Sequence, residues 1–289
     1  MSGADRYAFL QGQMTQDVDR IDEIHSTLSG WASPKGRLLA VGQLIARRDA
    51  LSWPLPEDIV EAVARRLGSF VLRAKAEIRV ADHAVMGLSG LDPGAPVCIG
   101  AIELENQNGA AAVAGDCAAA RLIGDPTRAW LCGPAKTLRD WCHDAAFGSA
   151  DANDWRLLDI RAGLPTVVAA TSQAFIPQML NLDLLGGISF TKGCYVGQEI
   201  VARTQNLGRI KRRMFRFRAG ATFDLDPGAT IYGPDNATGK VVQTASVDTD
   251  TEMTAVIAIE HAAENWYADA ARSLALETLP LPYAITAKN

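Results

Sequence analysis

The chain has 289 residues, a length that suggests two or three compact units. Its content of 48% hydrophobic and 21% charged residues is typical of a soluble globular protein. The formal net charge of −5 excludes a general attraction to nucleic acid, so we do not expect direct nucleic-acid binding. No apolar run approaches the roughly 20 residues that span a bilayer, and residues 1–6 lack the start of a signal peptide. We therefore expect a cytoplasmic protein of bacterial type with no membrane partner, and an organellar matrix stays open as the alternative.

The first ninety residues predict a short helix within residues 5–18, a β-hairpin, a second helix and two short strands. The hairpin turns at residues 34–36, and the second helix begins after Pro56, with acidic residues where the helix dipole favours them. Ile59, Val63 and Leu67 then share one face of this helix. The predicted strands are 26–31, 38–46, 76–80 and 84–88.

The middle of the chain, about 97–170, mixes strand and helix patterns. Residues 129–132 predict a strand, and Gly133-Pro134 begins a helix on which Leu138, Trp141 and Cys142 are interpreted as core residues. Because these pieces do not alternate strictly, they favour α+β lobes rather than a doubly wound sheet.

Beyond residue 206 the pattern changes to short strands separated by turn residues. This pattern predicts a small antiparallel barrel or sandwich. We therefore divide the chain into an α+β region, 1–205, with lobes of about 1–90 and 91–205, and a C-terminal β domain, 206–289. The predicted strands are 212–218, 229–232, 240–245, 254–259 and 283–287.

The five cysteines indicate neither disulfides nor a metal site. Their number is odd, they are scattered and no two form a C-x-x-C pair, which argues against a disulfide framework and against a self-contained zinc or iron–sulfur site. The four histidines do not cluster either, so we predict no metal site. The cysteines are Cys98, Cys117, Cys132, Cys142 and Cys194.

Residues 192–199, which read K-G-C-Y-V-G-Q-E, are the most informative stretch of the sequence. Two glycines around a cysteine and an aromatic ring indicate a shaped loop, whereas the simpler interpretation is a turn with a buried cysteine. Neighbouring cations, Lys192 and Arg203, favour a thiolate at Cys194, but burial or Glu199 opposes it. Cys194 is therefore a candidate redox or sulfur-handling group, with pocket shaping and plain packing as alternatives.

This octapeptide resembles the K-G-C-[FY]-x-G-Q-E motif of the YgfZ-type folate-binding proteins, which are relatives of the glycine-cleavage T-protein, an aminomethyltransferase. Three further matches follow the order of that family. Residues 9–18 read F-L-Q-G-Q-M-T-Q-D-V, and residues 33–39 read S-P-K-G-R-L-L. Residues 175–190 contain F-I-P-Q, N-L and G-G-I-S-F. The stretch 175–203 is the most specific of these matches.

The resemblance implies an α+β fold with two interleaved ferredoxin-like lobes around a folate cleft, followed by a C-terminal antiparallel β-barrel. It implies tetrahydrofolate, or a substituted reduced folate, as the cofactor. It also implies a role in assembling or repairing iron–sulfur clusters in client enzymes, including radical enzymes that modify tRNA. The expected partners are therefore iron–sulfur client or assembly proteins.

The residue types near the motif suit a folate. An aromatic ring suits the pterin face, amide and carboxylate groups suit its edge, and cations suit the anionic glutamate tail. The candidate folate contacts are Trp31, Lys192, Tyr195, Gln198, Glu199 and Arg203.

The sequence also departs from the T-protein pattern. Alignment on the hairpin turn places Ala40 and Val41 where the T-protein has an acidic pair, so we do not expect aminomethyl transfer, and whether the chain is an enzyme stays open. In the segment that matches R-[LI]-E-A-G, Arg161 replaces the glutamate and Asp159 the arginine, which places folate binding in question. The alternatives are a folate-dependent one-carbon transferase (aminomethyl or methyl) and a non-catalytic interaction scaffold.

One basic run stands out in this acidic chain. Its cations alternate with Phe215 and Phe217 as on a strand with one solvated face. The alternative is a docking patch for the folate tail, RNA or an acidic partner. The run comprises Arg209, Lys211, Arg212, Arg213, Arg216 and Arg218.

Overall fold

The N-terminal part of the chain folds as a helix, a three-stranded sheet and a second helix. The computed structural model describes residues 1–206 and 210–285. The sheet has the strand order β1-β2-β3, and the predicted hairpin is confirmed. The elements are α1 (Arg6–Gln11), β1 (Thr27–Ala32), β2 (Leu38–Arg47), β3 (Ala50–Ser52) and α2 (Glu57–Gly68).

Helix α2 follows its sequence pattern closely. Pro56 lies at its N-terminal boundary, and the first turn carries acidic residues while the last turn carries basic ones, as the helix dipole favours. Ile59, Val63 and Leu67 are all buried, so the predicted apolar face is confirmed. Burial of one such side chain stabilises the fold by about 1.5–3 kcal/mol.

A four-stranded antiparallel sheet and a separate two-stranded pair form the middle of the chain. The sheet has the order β4-β9-β8-β7, and β5 pairs with β6. Leu138 of the following helix, α3 (Ala135–Asp144), is fully buried against this core, and Trp141 and Cys142 pack against it, as predicted. The strands are β4 (Ala84–Ser89), β5 (Val97–Ile99), β6 (Ile102–Leu104), β7 (Ala111–Ala114), β8 (Cys117–Leu122) and β9 (Asp125–Gly133).

Helix α4 (Ala152–Ala162) and a closed antiparallel barrel complete the chain. Helix α4 begins with a capping box formed by Asp151 and Asp154, and it ends at Gly163, whose φ of +66° a left-handed cap requires. The barrel closes in the order β10-β13-β12-β11-β14-β15 around side chains that include Phe217 and Trp266. The elements that follow α4 are α5 (Gln198–Asn206), β10 (Arg212–Ala219), β11 (Thr230–Tyr232), β12 (Thr238–Val247), β13 (Asp250–Ala258), β14 (Trp266–Tyr267) and β15 (Ala275–Leu279).

The predicted class, α+β with a C-terminal antiparallel barrel, is confirmed, but two predicted strands are wrong. Residues 76–80 form no strand, since only Glu77 pairs, through an isolated bridge to Ser2. Residues 283–285 are not a strand either, and residues 286 and 287 lie outside the described part. Tyr283 instead donates its hydroxyl to the Gly163 carbonyl oxygen (2.7 Å). The unpredicted strands β14 and β15 close the barrel.

The chain forms two compact units whose segments alternate along the sequence. The first unit comprises Met1–Trp31, Ala40–Ser149 and Leu185–Val196. The second unit comprises Ala32–Leu39, Ala150–Leu184 and Gly197–Asn289. The division into domains at residue 205 stays a prediction.

Candidate functional site

In the first unit, the segment 186–196, here called the Cys194 loop, lies along the segment 12–16. Two backbone hydrogen bonds join them: Ser189 N–H donates to the Thr15 carbonyl oxygen (2.9 Å) and Val196 N–H donates to that of Gly12 (3.2 Å). Three of the four sequence motifs, 9–18, 175–190 and 192–199, therefore meet in space, although about 170 to 185 residues separate the bonded positions.

Side chains of the segment 12–16 strengthen this contact. The Thr15 hydroxyl donates to the Gly187 carbonyl oxygen (2.6 Å), and Gln16 Nε2 donates to that of Gly186 (2.5 Å). Thr15 and Gln16 are both buried, so these bonds satisfy side-chain donors that have lost water. Sequence reasoning missed these two residues, and the only available signal was their place in the F-L-Q-G-Q-M-T-Q-D-V motif.

Lys192 holds the centre of the Cys194 loop. Its Nζ donates to the carbonyl oxygens of Met14 (3.0 Å) and Gln16 (2.9 Å). Burial lowers the pKa of Lys192 from its ordinary 10.5 to about 8, against the opposing effect of the carboxylates of Asp17 and Asp19. The lysine therefore fastens its own loop to the unit.

Cys194 is an exposed free thiol between exposed Gly193 and buried Tyr195. Burial raises the pKa of Tyr195 to about 12, so its hydroxyl is neutral at physiological pH. The Lys192 Nζ lies 5.3 Å from the centroid of the tyrosine ring, within the range of a cation–π contact. Tyr195 and Lys192 thus anchor the loop on both sides of a thiol that solvent reaches. The simpler interpretation of Cys194, a buried packing residue, is wrong.

Trp31 is the third candidate folate contact in the first unit, and it is only 1% exposed. It forms an isolated β-bridge with Met14, and its Nε1 donates to Gln13 Oε1 (3.3 Å). The guanidinium carbon of Arg66 lies 6.0 Å from its ring centroid, and the Phe70 ring meets it edge-on at 6.4 Å.

The remaining candidates, Gln198, Glu199 and Arg203, lie on α5 in the second unit. The octapeptide is therefore not one loop, because its last two residues begin a helix. Glu199 and Arg203 are exposed and Gln198 is partly buried. The boundary between the two units falls between Val196 and Gly197.

The surroundings of Gly197 and Gly36 explain why the motifs 192–199 and 33–39 have glycine at these two positions. Gly197 has a φ of +82°, and a Cβ atom there would lie 2.5 Å from the Ser33 carbonyl oxygen. Gly36 has a φ of +67°, and its Cβ atom would lie 2.7 Å from Cβ of Ile200. Within the second unit, the hairpin turn and the start of α5 approach too closely for any larger residue at either position.

Arg161, at the position where the sequence resemblance expects a glutamate, has a partner in the second unit. Its Nε and Nη2 donate to Glu252 Oε1 (3.1 and 2.8 Å), while Arg216 donates to Oε2 of the same residue (3.1 and 2.7 Å). Burial raises the pKa of the Glu252 carboxyl, but the hydrogen bonds and charges of the two arginines outweigh it, and the net shift is downward.

Acidic side chains pair with half of the basic run, and the three paired cations lie on β10. Arg213 is buried and forms a bidentate pair with Asp183 (2.8 and 2.7 Å), and Arg218 pairs with Asp250. With Arg216 bound to Glu252, three of the six cations are paired, which favours a structural role for the strand. Arg209 lies outside the described residues.

The described part of the chain contains no cluster of three or more metal-ligating side chains, and no helix in it is long and apolar enough to cross a membrane. A cavity of about 80 Å³ lies in the first unit between α2 and neighbouring apolar side chains such as Leu44 and Leu51. Ligand pockets are usually about 300–1,000 Å³, so this cavity is too small for a folate.

No protein-family model matches the sequence. Among solved structures, the chain is similar to the glycine cleavage system aminomethyltransferase T from Bartonella henselae, with a TM-score of 0.65 and 13% sequence identity. The similarity covers 96% of this chain and 81% of that protein. At this identity it demonstrates a shared fold, that of an aminomethyltransferase T, and not a shared activity.

Proposed function

We propose that this chain binds a reduced folate and acts as an accessory protein in iron–sulfur cluster assembly or repair, with Cys194 as its functional thiol. The observation that carries the proposal is the exposed thiol of Cys194 on a loop that Lys192, Thr15 and Gln16 fasten to the first unit. A cysteine that only packed would not need so constrained a loop around an accessible sulfur.

Folate binding is supported by the aminomethyltransferase T fold over 96% of the chain and by the motif resemblance. Arg161 does not place an unpaired positive charge in the way of folate binding, because its guanidinium is bound to Glu252. The groups on α5, Gln198 and Glu199, suit the polar edge of a pterin, and Arg203 suits a carboxylate.

Isothermal titration calorimetry tests folate binding. We expect saturable heat with tetrahydrofolate and with its more stable 5-formyl derivative. The absence of heat and of competition at millimolar ligand, where binding is worth only about 4 kcal/mol, contradicts the proposal. A protein that then still supports iron–sulfur client enzymes is the non-catalytic scaffold.

A folate-dependent one-carbon transferase is the second candidate. It needs a group that accepts or relays a proton, and Ala40 and Val41 cannot do so. Both are buried core residues of β2. The tertiary fold alone favours this candidate, whereas the residues at the acidic positions oppose it.

A further inference from the structure

The cavity of about 80 Å³ beneath α2 lies wholly in the first unit, and its walls are mainly apolar. The buried side chains that line it include Leu44 of β2, Leu51 of β3 and Val63 of α2. Arg79 also lines it and is exposed, so the cavity reaches the surface at this residue. No described residue of the Cys194 loop lines it, so a function here is additional to the one proposed above.

One wall of this cavity carries a buried hydrogen-bond donor without an acceptor. Trp53 lines the cavity, and its Nε1–H has no partner among the described residues. A Cβ atom at Gly42 would lie 2.7 Å from this nitrogen, so the indole occupies space that the glycine leaves open. Gly42 and Leu44 are two positions apart on β2 and therefore face the same side, and Leu44 lines the cavity. The unpaired donor thus lies on the cavity side of the strand.

Water alone is a poor occupant of this cavity. A buried water normally needs two to four polar partners, and the walls here are mainly apolar. An engineered apolar cavity of about 150 Å³ stays dry and binds benzene, which has six carbon atoms. In proportion to volume, a cavity of about 80 Å³ holds about three apolar carbon atoms. Its size therefore suits a short aliphatic group.

Positive charge at the opening favours an anion. No carboxylate oxygen of the described residues lies within 4.0 Å of the Arg79 guanidinium. Burial, and then the charges of three arginines that include Arg79, lower the pKa of the Met1 amine to about 6, against the opposing charge of Glu77. Met1 also lines the cavity, so the guanidinium groups create a positive potential there.

We propose that this cavity binds a short-chain aliphatic carboxylate. About three carbon atoms fill the space between α2 and β2. The carboxylate oxygens accept hydrogen bonds from the Arg79 guanidinium and from the Trp53 indole N–H. A carboxylate meets both needs of the site, because it is an acceptor for the unpaired donor and an anion for the arginine. Butyrate, which has three apolar carbon atoms, is the probe that matches this site.

NMR titration of the full chain with a series of sodium carboxylates tests the proposal, with sodium chloride at equal ionic strength as the reference. The series is acetate, propionate, butyrate, valerate and hexanoate. The signal is the Trp53 indole N–H resonance, which is assigned by its loss in a Trp53→Phe variant. We expect this resonance to shift saturably as the N–H gains an acceptor.

The affinities should depend on chain length. We expect a Kd for butyrate on the order of 1 mM, because a ligand of six non-hydrogen atoms contacts little surface. Each carbon added from acetate to butyrate should tighten binding about 4-fold. Beyond butyrate the gain should stop, because no space remains for further carbon atoms.

Ala64→Leu tests the space inside the cavity. Ala64 lines the cavity from α2, and a leucine there fills the volume that the hydrocarbon needs. Butyrate binding should weaken at least about 10-fold, whereas the melting temperature should stay the same or rise, because a filled cavity stabilises the fold. The matched control is Ala62→Leu, the same change at an exposed position of the same helix, and it should bind butyrate as the wild type does.

Arg79→Gln tests the charge. The wild type should bind butyrate about 1.5- to 5-fold more tightly than the uncharged amide butyramide, because an exposed ion pair strengthens binding by that factor. The variant should bind the two compounds equally. The matched control, Arg73→Gln, removes an exposed arginine that does not line the cavity, and it should keep the preference of the wild type.

Each outcome supports or overturns this site. If no carboxylate moves the Trp53 resonance well above the expected Kd, or if Ala64→Leu binds butyrate like the wild type, the cavity is not a binding site. If acetate binds as tightly as butyrate, the site holds an adventitious ion only. If Arg79→Gln keeps the preference for butyrate over butyramide, the carboxylate assignment is wrong. Should Ala64→Leu fail to fold, the length series and the Arg79 variant decide the question.

Discussion

At the scale of single residues, the candidate site depends on two neighbours with different roles. Cys194 exposes its sulfur to solvent, whereas the Lys192 ammonium turns inward to two carbonyl oxygens. Sequence reasoning named both residues because they share a motif, and only the contacts distinguish the exposed cysteine from the lysine that holds the loop.

Cys194 is expected to carry function rather than stability. Cys194→Ser should abolish support of iron–sulfur enzymes in a complementation assay while changing the free energy of unfolding by at most about 1 kcal/mol, since the side chain is exposed. The control is Cys132→Ser, at a buried position where burial raises the pKa of the thiol to about 12. This change should cost about 1–3 kcal/mol and spare function. Full complementation by the Cys194 variant would show that the sulfur is dispensable.

Lys192 predicts a pH dependence of stability. Its pKa is about 8 in the folded protein, whereas an unperturbed lysine has a pKa of 10.5, so between these values the unfolded chain binds more protons. The free energy of unfolding should therefore rise with pH across this window by about 1–3 kcal/mol relative to a Lys192→Met variant. Below pH 8 the folded protein bears the full cost of the buried charge.

Urea denaturation from pH 7 to 10.5 measures this difference. Lys136→Met is the control, because the Lys136 side chain is 84% exposed. The free energy of unfolding of this variant should change with pH in parallel with that of the wild type. If the free energy of unfolding of Lys192→Met also changes with pH in parallel with that of the wild type, the lysine keeps its ordinary pKa and its carbonyl contacts do not form in solution.

At the scale of elements, glycine and paired charges fix how neighbouring pieces of the second unit meet. The hairpin turn packs on the start of α5 through Gly36 and Gly197, and Arg161 of α4 binds Glu252 of β13. Loss of Glu252 would leave both Arg161 and Arg216 without their shared carboxylate, whereas loss of Arg161 leaves Glu252 still bound to Arg216.

Gly197→Ala is expected to destabilise the protein by about 1–3 kcal/mol, because alanine disfavours the φ of +82° and its Cβ atom would collide with the Ser33 carbonyl oxygen. Gly193→Ala, four residues earlier, is the matched control: its φ is not in the left-handed region and a Cβ atom there meets nothing within 4 Å. That variant should change stability by about 0.5 kcal/mol or less. Thermal melts compare the two, and equal effects would contradict the close approach.

At the scale of the whole molecule, the fold of an aminomethyltransferase T is present without the acidic residues that the resemblance associates with its chemistry. Ala40 and Val41 pack into the core of the first unit, where they stabilise β2 by burial. A scaffold can keep its shape while its chemistry changes, because packing and catalysis depend on different side chains.

The chain is therefore expected to lack aminomethyltransferase activity. Given the aminomethylated carrier protein and tetrahydrofolate, it should release ammonia at least about 10²-fold more slowly than an authentic T-protein, since general acid–base help is worth about 10²–10⁴-fold. The authentic enzyme in the same assay is the positive control. Release at a comparable rate would promote the one-carbon transferase to the leading function.

The sequence by itself determined the elements whose pattern is local. The hairpin around residues 34–36, the apolar face of α2 and the strands β10 to β13 follow from contacts between residues two to four positions apart, which side-chain periodicity records. The same logic predicted a strand at 76–80, and it failed there because no neighbouring strand pairs with it.

Only the tertiary structure decided which distant segments meet. The contact of segment 12–16 with the Cys194 loop, the approach of Gly36 to the start of α5 and the pairing of Arg161 with Glu252 join residues about 90–180 positions apart. No periodicity in the sequence records such pairs, because they depend on how whole elements pack. The motifs named Lys192 and Cys194 as candidates, and the fold determined that Lys192 holds the loop while Cys194 is exposed.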